Sequence, residues 1–226
     1  MANKKFFLII VFVLTFAMCS TVKRTDGRFY VDLSSPQFPA GEIETQIDKT
    51  FPLSGLRKIA VTVSYFPVED AVCLRYRSDF FTYHQFWSRE GRDIFLKALE
   101  NYSSDYAARN LNRRDRTSKK SYGAVEGYLA WQMASVTRRV EANMNMEFGY
   151  SFKENSPYYA VTQKLTTYVD TISKENDMNS QEITMYFTRA QAQELAALFE
   201  QEYLLNLIPP EMGGRRDLTN IDTDTY

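Results

Sequence analysis

The sequence predicts an α+β fold, an antiparallel sheet of about six strands with two helices packed on one face, in the order ββα-ββ-ββα. The first observation is the unbroken alternation of apolar and polar residues over Val140–Phe152, typical of a strand whose sheet is covered on one side. The second is that several other stretches share this period of two. The third is that two of them lead directly into stretches with helical apolar spacing.

The remaining predicted strands each show alternation bounded by turn residues. They are residues 58–65, 71–81, 121–133, 158–172 and 182–187. Gly123 and Gly127 interrupt the third strand, which indicates a bulge or a close approach of another backbone.

Each predicted helix begins with a hydroxyl residue answered by glutamine three positions later, the pattern of a capping box. The first pair is Thr82 and Gln85, opening a helix to about Arg109, and the second is Thr188 and Gln191. Gly91 falls on the apolar face of the first helix, which predicts a close approach to the sheet.

The N-terminus has the layout of a secretory signal, with Lys4 and Lys5 ahead of an apolar run. The run before Cys19 is about 13 residues, short of the roughly 20 that a helix needs to cross a bilayer. A cleaved signal therefore fits better than a permanent membrane span.

The end of this run resembles the lipobox of bacterial lipoprotein precursors. Ala17 and Cys19 match that pattern, Phe16 replaces the usual leucine, and Met18 departs from it because a small residue is expected there. The resemblance implies that Cys19 becomes the lipidated first residue of the mature chain. The alternatives are ordinary cleavage after Cys19 and an uncleaved anchor.

The predicted organisation has four parts. Residues 1–18 are the signal peptide, 19–56 the lipidated N-terminus and an extended tether, 57–208 a single α+β domain, and 209–226 a disordered tail. The expected location is the bacterial cell envelope, with the outer membrane or the periplasmic face favoured over the cytoplasm.

Composition excludes several classes of function. Removing residues 1–18 takes away two of 27 basic residues against 28 acidic ones, so the mature chain is slightly acidic and no nucleic-acid partner is expected. If Cys19 carries lipid, Cys73 has no cysteine partner. With one histidine, and with neither metal-ligand spacing nor a glycine-rich phosphate loop, the sequence predicts no metal and no cofactor.

Two groups are candidate binding residues. A basic run is expected to contact anionic lipid headgroups or an acidic envelope polymer, and it comprises Arg109, Arg113, Arg114, Arg116, Lys119 and Lys120. Tyr128 and Trp131 fall on opposite faces of their strand, so one of them is a candidate for aromatic contact with a ligand.

Candidates for catalysis are weaker. His84 is expected at a helix start, Cys73 in a core, and no motif nominates a nucleophile for either. Glu126, Glu141 and Glu147 project from predicted strands and could serve hydrolysis if two of them converge.

The leading hypothesis is a non-enzymatic, lipid-anchored envelope protein that binds or scaffolds another envelope protein or an anionic polymer. One alternative is a carrier of a small apolar ligand between sheet and helices, lined by adaptable methionines. The other alternative is a hydrolase acting on cell-wall material.

Overall fold

Eight antiparallel strands close into a barrel in the computed structural model, which describes residues 28–49, 55–112, 121–134, 139–168 and 178–212. The barrel strands are β1 (Phe38–Asp48), β2 (Leu56–Phe66), β3 (Ala71–Ser78), β4 (Phe81–Trp87), β5 (Gly123–Met133), β6 (Arg139–Lys153), β7 (Ser156–Gln163) and β10 (Ile183–Phe187). Three helices accompany them, α1 (Arg89–Ala107), α2 (Arg189–Phe199) and α3 (Gln201–Asn206). Two short strands, β8 (Thr167–Tyr168) and β9 (Met178–Asn179), pair with each other, and Pro210–Met212 forms a turn of 3-10 helix.

The predicted open sheet of six strands with two helices on one face is therefore wrong. The order around the barrel is β1-β10-β7-β6-β5-β4-β3-β2, so every barrel strand has two neighbours. Two strands, β1 and β4, account for the difference in number. The local sequence of β1 suggested an extended tether, and that of β4 suggested the start of a helix.

Strand β1 lies within the stretch predicted to be a tether with little regular structure, and that prediction is wrong for Phe38–Asp48. Ile43, Thr45 and Ile47 point into the barrel and are buried, whereas Glu42 and Glu44 on the opposite face are exposed. Pro39 and Gly41 sit where the β1–β2 register shifts, so the residues that suggested a loop mark a β-bulge.

Strand β4 occupies the residues predicted to open the first helix. Tyr83, Gln85 and Trp87 face the interior, and pairing with β3 and β5 on either side overrides the capping pattern at Thr82. Helix α1 begins later, after Ser88, whose hydroxyl oxygen accepts a hydrogen bond from the Gly91 amide at 3.1 Å.

Several other predictions are confirmed, and one strand end is wrong. The long strand, β6, runs from Arg139 to Lys153 with one buried face, and α2 begins with the capping box of Thr188 and Gln191. By contrast, strand β7 ends at Gln163 and not at the predicted residue 172. A methyl group on Gly127 would lie 2.9 Å from the Phe86 carbonyl oxygen, which confirms the close approach there.

Helices α1 and α2 cover one end of the barrel, which we call the helix end. Strands β4 and β10 run in the same direction and lead into α1 and α2, whose buried side chains join the interior core. Trp87 and Phe148 of the barrel meet Phe95 and Phe199 of the helices, with ring centroids 5.1–5.9 Å apart. The opposite end, which carries the β3–β4 turn, is the loop end.

A buried arginine ties the helices to the barrel. Arg92 is 1% exposed, and its guanidinium donates to the Asp70 carboxylate at 2.8 Å and to the Gln201 side-chain oxygen at 2.6 Å. Tyr65 donates to the same carboxylate at 3.0 Å, so the β2–β3 turn, α1 and α3 share one hydrogen-bond network.

The barrel closes along a short seam between its first and last strands. Among the described residues, two register pairs join these strands, Gln46 with Tyr186 and Ile47 with Met185, and Thr45 donates a hydrogen bond to the Tyr186 carbonyl at 3.0 Å. Beyond the seam α2 packs beside β1, close enough for a methyl group on Gly41 to lie 3.2 Å from Leu198.

Candidate functional site: the outer wall of strands β2 to β6

The outward-facing side chains of strands β2 to β6, which we call the outer wall, divide into two halves. The half toward the helix end, the apolar half, is apolar over β2 to β5 and is covered there by another part of the chain, while Glu126 and Glu147 of β5 and β6 are exposed beyond the cover. The half toward the loop end, the basic half, carries two exposed arginines on β3. The division follows the strand sequences, because in β3 the outward positions change from Ala71 and Cys73 to Arg75 and Arg77.

Residues 28–35, which we call the N-terminal strap, cover the apolar half. Val31 is fully buried against outward side chains of four strands, which are Phe66, Ala71, Cys73, Phe86, Tyr128 and Ala130. The Phe29 carbonyl accepts a hydrogen bond from the Asn143 side chain at 3.0 Å, and the Tyr30 ring meets the Tyr128 ring edge-on at 5.4 Å.

The other end of the strap is held by the β2–β3 turn. Glu69 is 4% exposed, and one of its carboxylate oxygens accepts from the Ser35 hydroxyl at 2.6 Å and from the Asp32 amide at 3.3 Å. The strap therefore runs from β6 to β2 and belongs to the folded body, so the segment ahead of β1 is not a free tether from residue 28 onward.

The basic half contains a groove of about 540 Å³. Its lining comprises Arg57, Ile59, Ala60, Thr62, Arg75, Tyr76 and Arg77. Ala60 and Thr62 are small, and arginines stand on the β3 side and at the rim. We call this feature the basic groove.

Most cations around the groove have acidic partners. Arg57 pairs with Asp79 at 3.1 Å and Lys58 with Glu44 at 3.2 Å. On β6, Arg139 pairs with Glu141 at 3.4 Å. Within the described residues, the exposed Arg75 and Arg77 form no ion pair, so they carry the positive charge of this wall that has no acidic partner.

His84 adds no charge to the wall at neutral pH. It lies on β4 directly across from Arg75, so the predicted place at a helix start is wrong. Burial lowers the pKa of its imidazole to about 4, and the positive charges of Arg75 and Arg139 act in the same direction. The neutral ring can donate or accept a hydrogen bond but does not attract anions.

Tyr128 and Trp131 do lie on opposite faces of β5, and both are fully buried. The Tyr128 hydroxyl donates to Glu141 beneath the strap, and Trp131 faces the barrel interior. The Trp131 indole N–H has no hydrogen-bond partner among the described residues. A role for either ring in ligand contact stays a prediction.

Several predicted site residues lie outside the described residues, namely Cys19, Arg113, Arg114, Arg116, Lys119 and Lys120. Arg109 is described and is exposed just past the end of α1. Contact of this run with an anionic surface therefore stays a prediction, as does the state of the tail beyond residue 212.

The three candidate carboxylates face outward from β5 and β6. Glu141 is engaged by Tyr128 and Arg139, and Glu147 pairs with Lys164 at 2.9 Å. Glu126 is exposed two residues along β5 from the position across from Glu147. These positions place none of the three in the barrel interior.

The interior instead carries a hydrogen-bonded polar network among bulky side chains. Gln163 accepts from the Tyr76 hydroxyl at 2.7 Å and from the Gln85 amide at 3.3 Å. Gln85 in turn accepts from the Trp87 indole at 3.0 Å. Each of these four side chains is buried, so this layer of the barrel is filled by protein.

Arg75, Arg77 and the strap were missed as functional features by the sequence analysis. The signal for the arginines was present, because alternation along β3 places both opposite the apolar interior set. The strap had a weaker signal in Phe29–Val31, an isolated apolar triplet with no partner in its own vicinity.

None of the helices in the described part of the chain is long and apolar enough to span a membrane. In the same residues, no group of three or more histidine, cysteine, aspartate or glutamate side chains is arranged to hold a metal ion.

Comparison with known proteins places the chain in a family. Searches of curated proteins and of solved structures give no match. A family model does match, and it extends over residues 17–206, well over half of the sequence. The chain therefore belongs to the bacterial family described as "Uncharacterised Treponema protein".

Proposed function

We propose that this protein is a lipid-anchored cell-envelope protein whose barrel binds or scaffolds a partner and does not catalyse a reaction. The observation that carries the proposal is the N-terminal sequence, in which a basic start and a short apolar run end at Cys19.

The strap gives this proposal a physical basis. A chain anchored through Cys19 would reach the strap nine residues later, at Arg28, and the strap contacts the outer wall from Phe29 onward. The anchor would therefore hold the barrel close to the bilayer, with the outer wall near the membrane.

Mass spectrometry of the protein gently extracted from its own membranes tests the proposal. We expect a mature chain that begins at Cys19 and carries acyl chains, and a Cys19→Ala chain that keeps its leader or loses the lipid. A mature chain that begins at Ser20 without lipid, or one that retains Met1, would contradict the proposal.

A further inference from the structure

We propose that the loop end of the outer wall is a second membrane contact, in which Arg75 and Arg77 bind anionic phospholipid headgroups and Phe80 enters the interfacial layer. This inference rests on the proposed function, since the membrane that holds Cys19 is the surface that the wall would meet.

The first support is uncompensated charge beside a groove. Arg75 and Arg77 stand on one side of the basic groove, and no acidic side chain of the described residues pairs with either. Guanidinium groups bind phosphate oxygens through paired N–H donors, which suits the headgroup of an anionic lipid.

The acidic residues nearby limit the direction from which lipid can approach. Glu44 of β1 is neutralised by Lys58, but Glu42 is exposed on β1 across from Thr62. Because Thr62 is in turn the partner of Arg75, Glu42 and Arg75 are two strands apart, about 10 Å. The membrane would therefore meet the β3–β4 side of the groove and leave β1 in water.

The second support is an exposed aromatic ring at the same end. Phe80, at the tip of the β3–β4 turn, is 76% exposed and follows Asp79, whose charge Arg57 compensates at 3.1 Å. A phenylalanine at a turn tip beside arginines is the combination found at membrane interfaces, where apolar groups enter the headgroup boundary and cations stay at the phosphates.

The third support is that the chain between Cys19 and the strap is long enough for both contacts to reach one membrane. The strap starts on this same wall, where the Asn143 side chain of β6 donates a hydrogen bond to the Phe29 carbonyl. Measured along the strands, the distance from Asn143 to the level of the β3–β4 turn is about 20 Å. The nine residues from Cys19 to Arg28 can span up to about 30 Å, so lipid and Phe80 can reach one bilayer together.

The test uses the full lipidated chain carrying Phe80→Trp, reconstituted in vesicles whose lipids have brominated acyl chains. The two native tryptophans are buried, so the introduced indole is the accessible one. We expect strong quenching with phosphatidylglycerol present and weak quenching in phosphatidylcholine alone. Adding Arg75→Gln and Arg77→Gln should lower the docked-to-undocked ratio about fivefold for each arginine removed.

The matched control removes the same charge at the helix end. Arg89→Gln with Lys97→Gln, both on the exposed side of α1, should leave quenching unchanged. Quenching that is equal for both double variants, or equal in both lipid mixtures, would overturn the proposal. A spectral shift of the introduced indole with soluble polyphosphate, without quenching by vesicles, would overturn it in favour of an anionic polymer.

The same vesicles separate this inference from the anchor. If the protein remains bound to vesicles of both lipid mixtures but its quenching does not depend on anionic lipid, the headgroup contact of Arg75 and Arg77 is contradicted and the lipid anchor is not. If the protein remains bound to neither kind of vesicle, both the anchor and the headgroup contact are contradicted.

Discussion

Gly127 has no room for a side chain, because an added methyl carbon would lie 2.9 Å from the Phe86 carbonyl oxygen and 2.8 Å from the Met146 methyl. The methionine can move, but the carbonyl belongs to the neighbouring strand. Gly127→Ala should therefore lower the free energy of unfolding by about 1–3 kcal/mol, as overpacking does in other cores. Urea denaturation followed by circular dichroism measures it.

Gly91 provides the matched control for that substitution. An added methyl there would lie 3.7 Å from Val125, an ordinary contact, so the prediction that the helix needs glycine for a close approach is wrong. Gly91→Ala should be neutral or stabilise the protein by up to about 1 kcal/mol, because alanine favours helix. Equal losses from both alanine substitutions would contradict this account of Gly127.

His84 predicts a pH dependence whose sign can be worked out. Its pKa is about 4 in the folded protein and 6.5 in an unfolded chain. Between these values the unfolded chain binds a proton that the folded protein does not, so the His84 contribution to stability is complete above pH 6.5 and is lost as the pH falls toward 4. NMR titration of this single histidine measures the folded pKa directly.

The same titration tests the cause of the shift. Arg75→Gln should raise the pKa of His84, since a positive charge across the strand pair is removed. Arg77→Gln, two residues along the same strand, should change the pKa little. A folded-state pKa near 6.5 in the unmodified protein would refute the burial argument.

At the scale of elements, the strap accounts for the burial of Cys73, and we expect the folded protein to protect this thiol from labelling. The thiol faces outward from β3 beneath the strap, is 3% exposed, and burial raises its pKa well above the ordinary value. Val31→Ala removes two methyl groups from the strap contact, about 0.8 kcal/mol each, so opening should become about tenfold more frequent. Thiol labelling of Cys73 in a Cys19→Ser chain should accelerate by that factor.

Ser34→Ala is the control for this measurement, because Ser34 is an exposed strap residue outside the apolar contact. It should leave the labelling rate unchanged. A rate that Val31→Ala does not alter, with global stability measured in parallel, would show that the strap does not gate access to Cys73.

The elements also show how far sequence reasoning reaches in this protein. Strand β6 could be predicted because its alternation is long and its ends are marked. Strand β4 could not be predicted, because Thr82 and Gln85 match the capping pattern of a helix within a window of four residues. What makes these residues a strand is pairing with β3 and with β5, and β5 is distant in the sequence. Strand β1 has only two isoleucines facing inward, too few to stand out among glutamates.

In the candidate site, too, local alternation could be interpreted from the sequence, whereas contacts between distant strands could not. Alternation along β3 could have placed Arg75 and Arg77 on one outward face. Their lack of acidic partners could not be predicted, because the ion pairs that neutralise Arg57, Lys58 and Arg139 depend on register and on barrel closure.

At the scale of the whole molecule, β1 decides whether the barrel exists. A chain that starts at Leu56 would lack the strap and β1, and would leave β2 and β10 as unpaired edges. Exposed edges of this kind pair with other chains. We expect that shortened chain to aggregate or to lose its cooperative thermal transition, and a chain that starts at Arg28 to keep it.

Circular dichroism melts together with size-exclusion chromatography distinguish the two chains. A monomeric, cooperatively melting chain from Leu56 would mean that the remaining strands form a stable sheet without the closing seam. Both chains should extend to at least residue 208, so that α2 and α3 are kept.

The seam between β1 and β10 also sets the order of events in folding. Thr45 and Tyr186, which it joins by a hydrogen bond, are separated by 141 positions in the sequence. Such distant contacts form slowly, since the loop between them must be ordered before they contribute. As the ribosome makes the chain from its N-terminus, β1 is completed before the other barrel strands and β10 after them, so the barrel cannot close until β10 has been made. Until then both strand edges are free to pair with other chains, and a chaperone that holds the unfinished chain would have these two edges to shield.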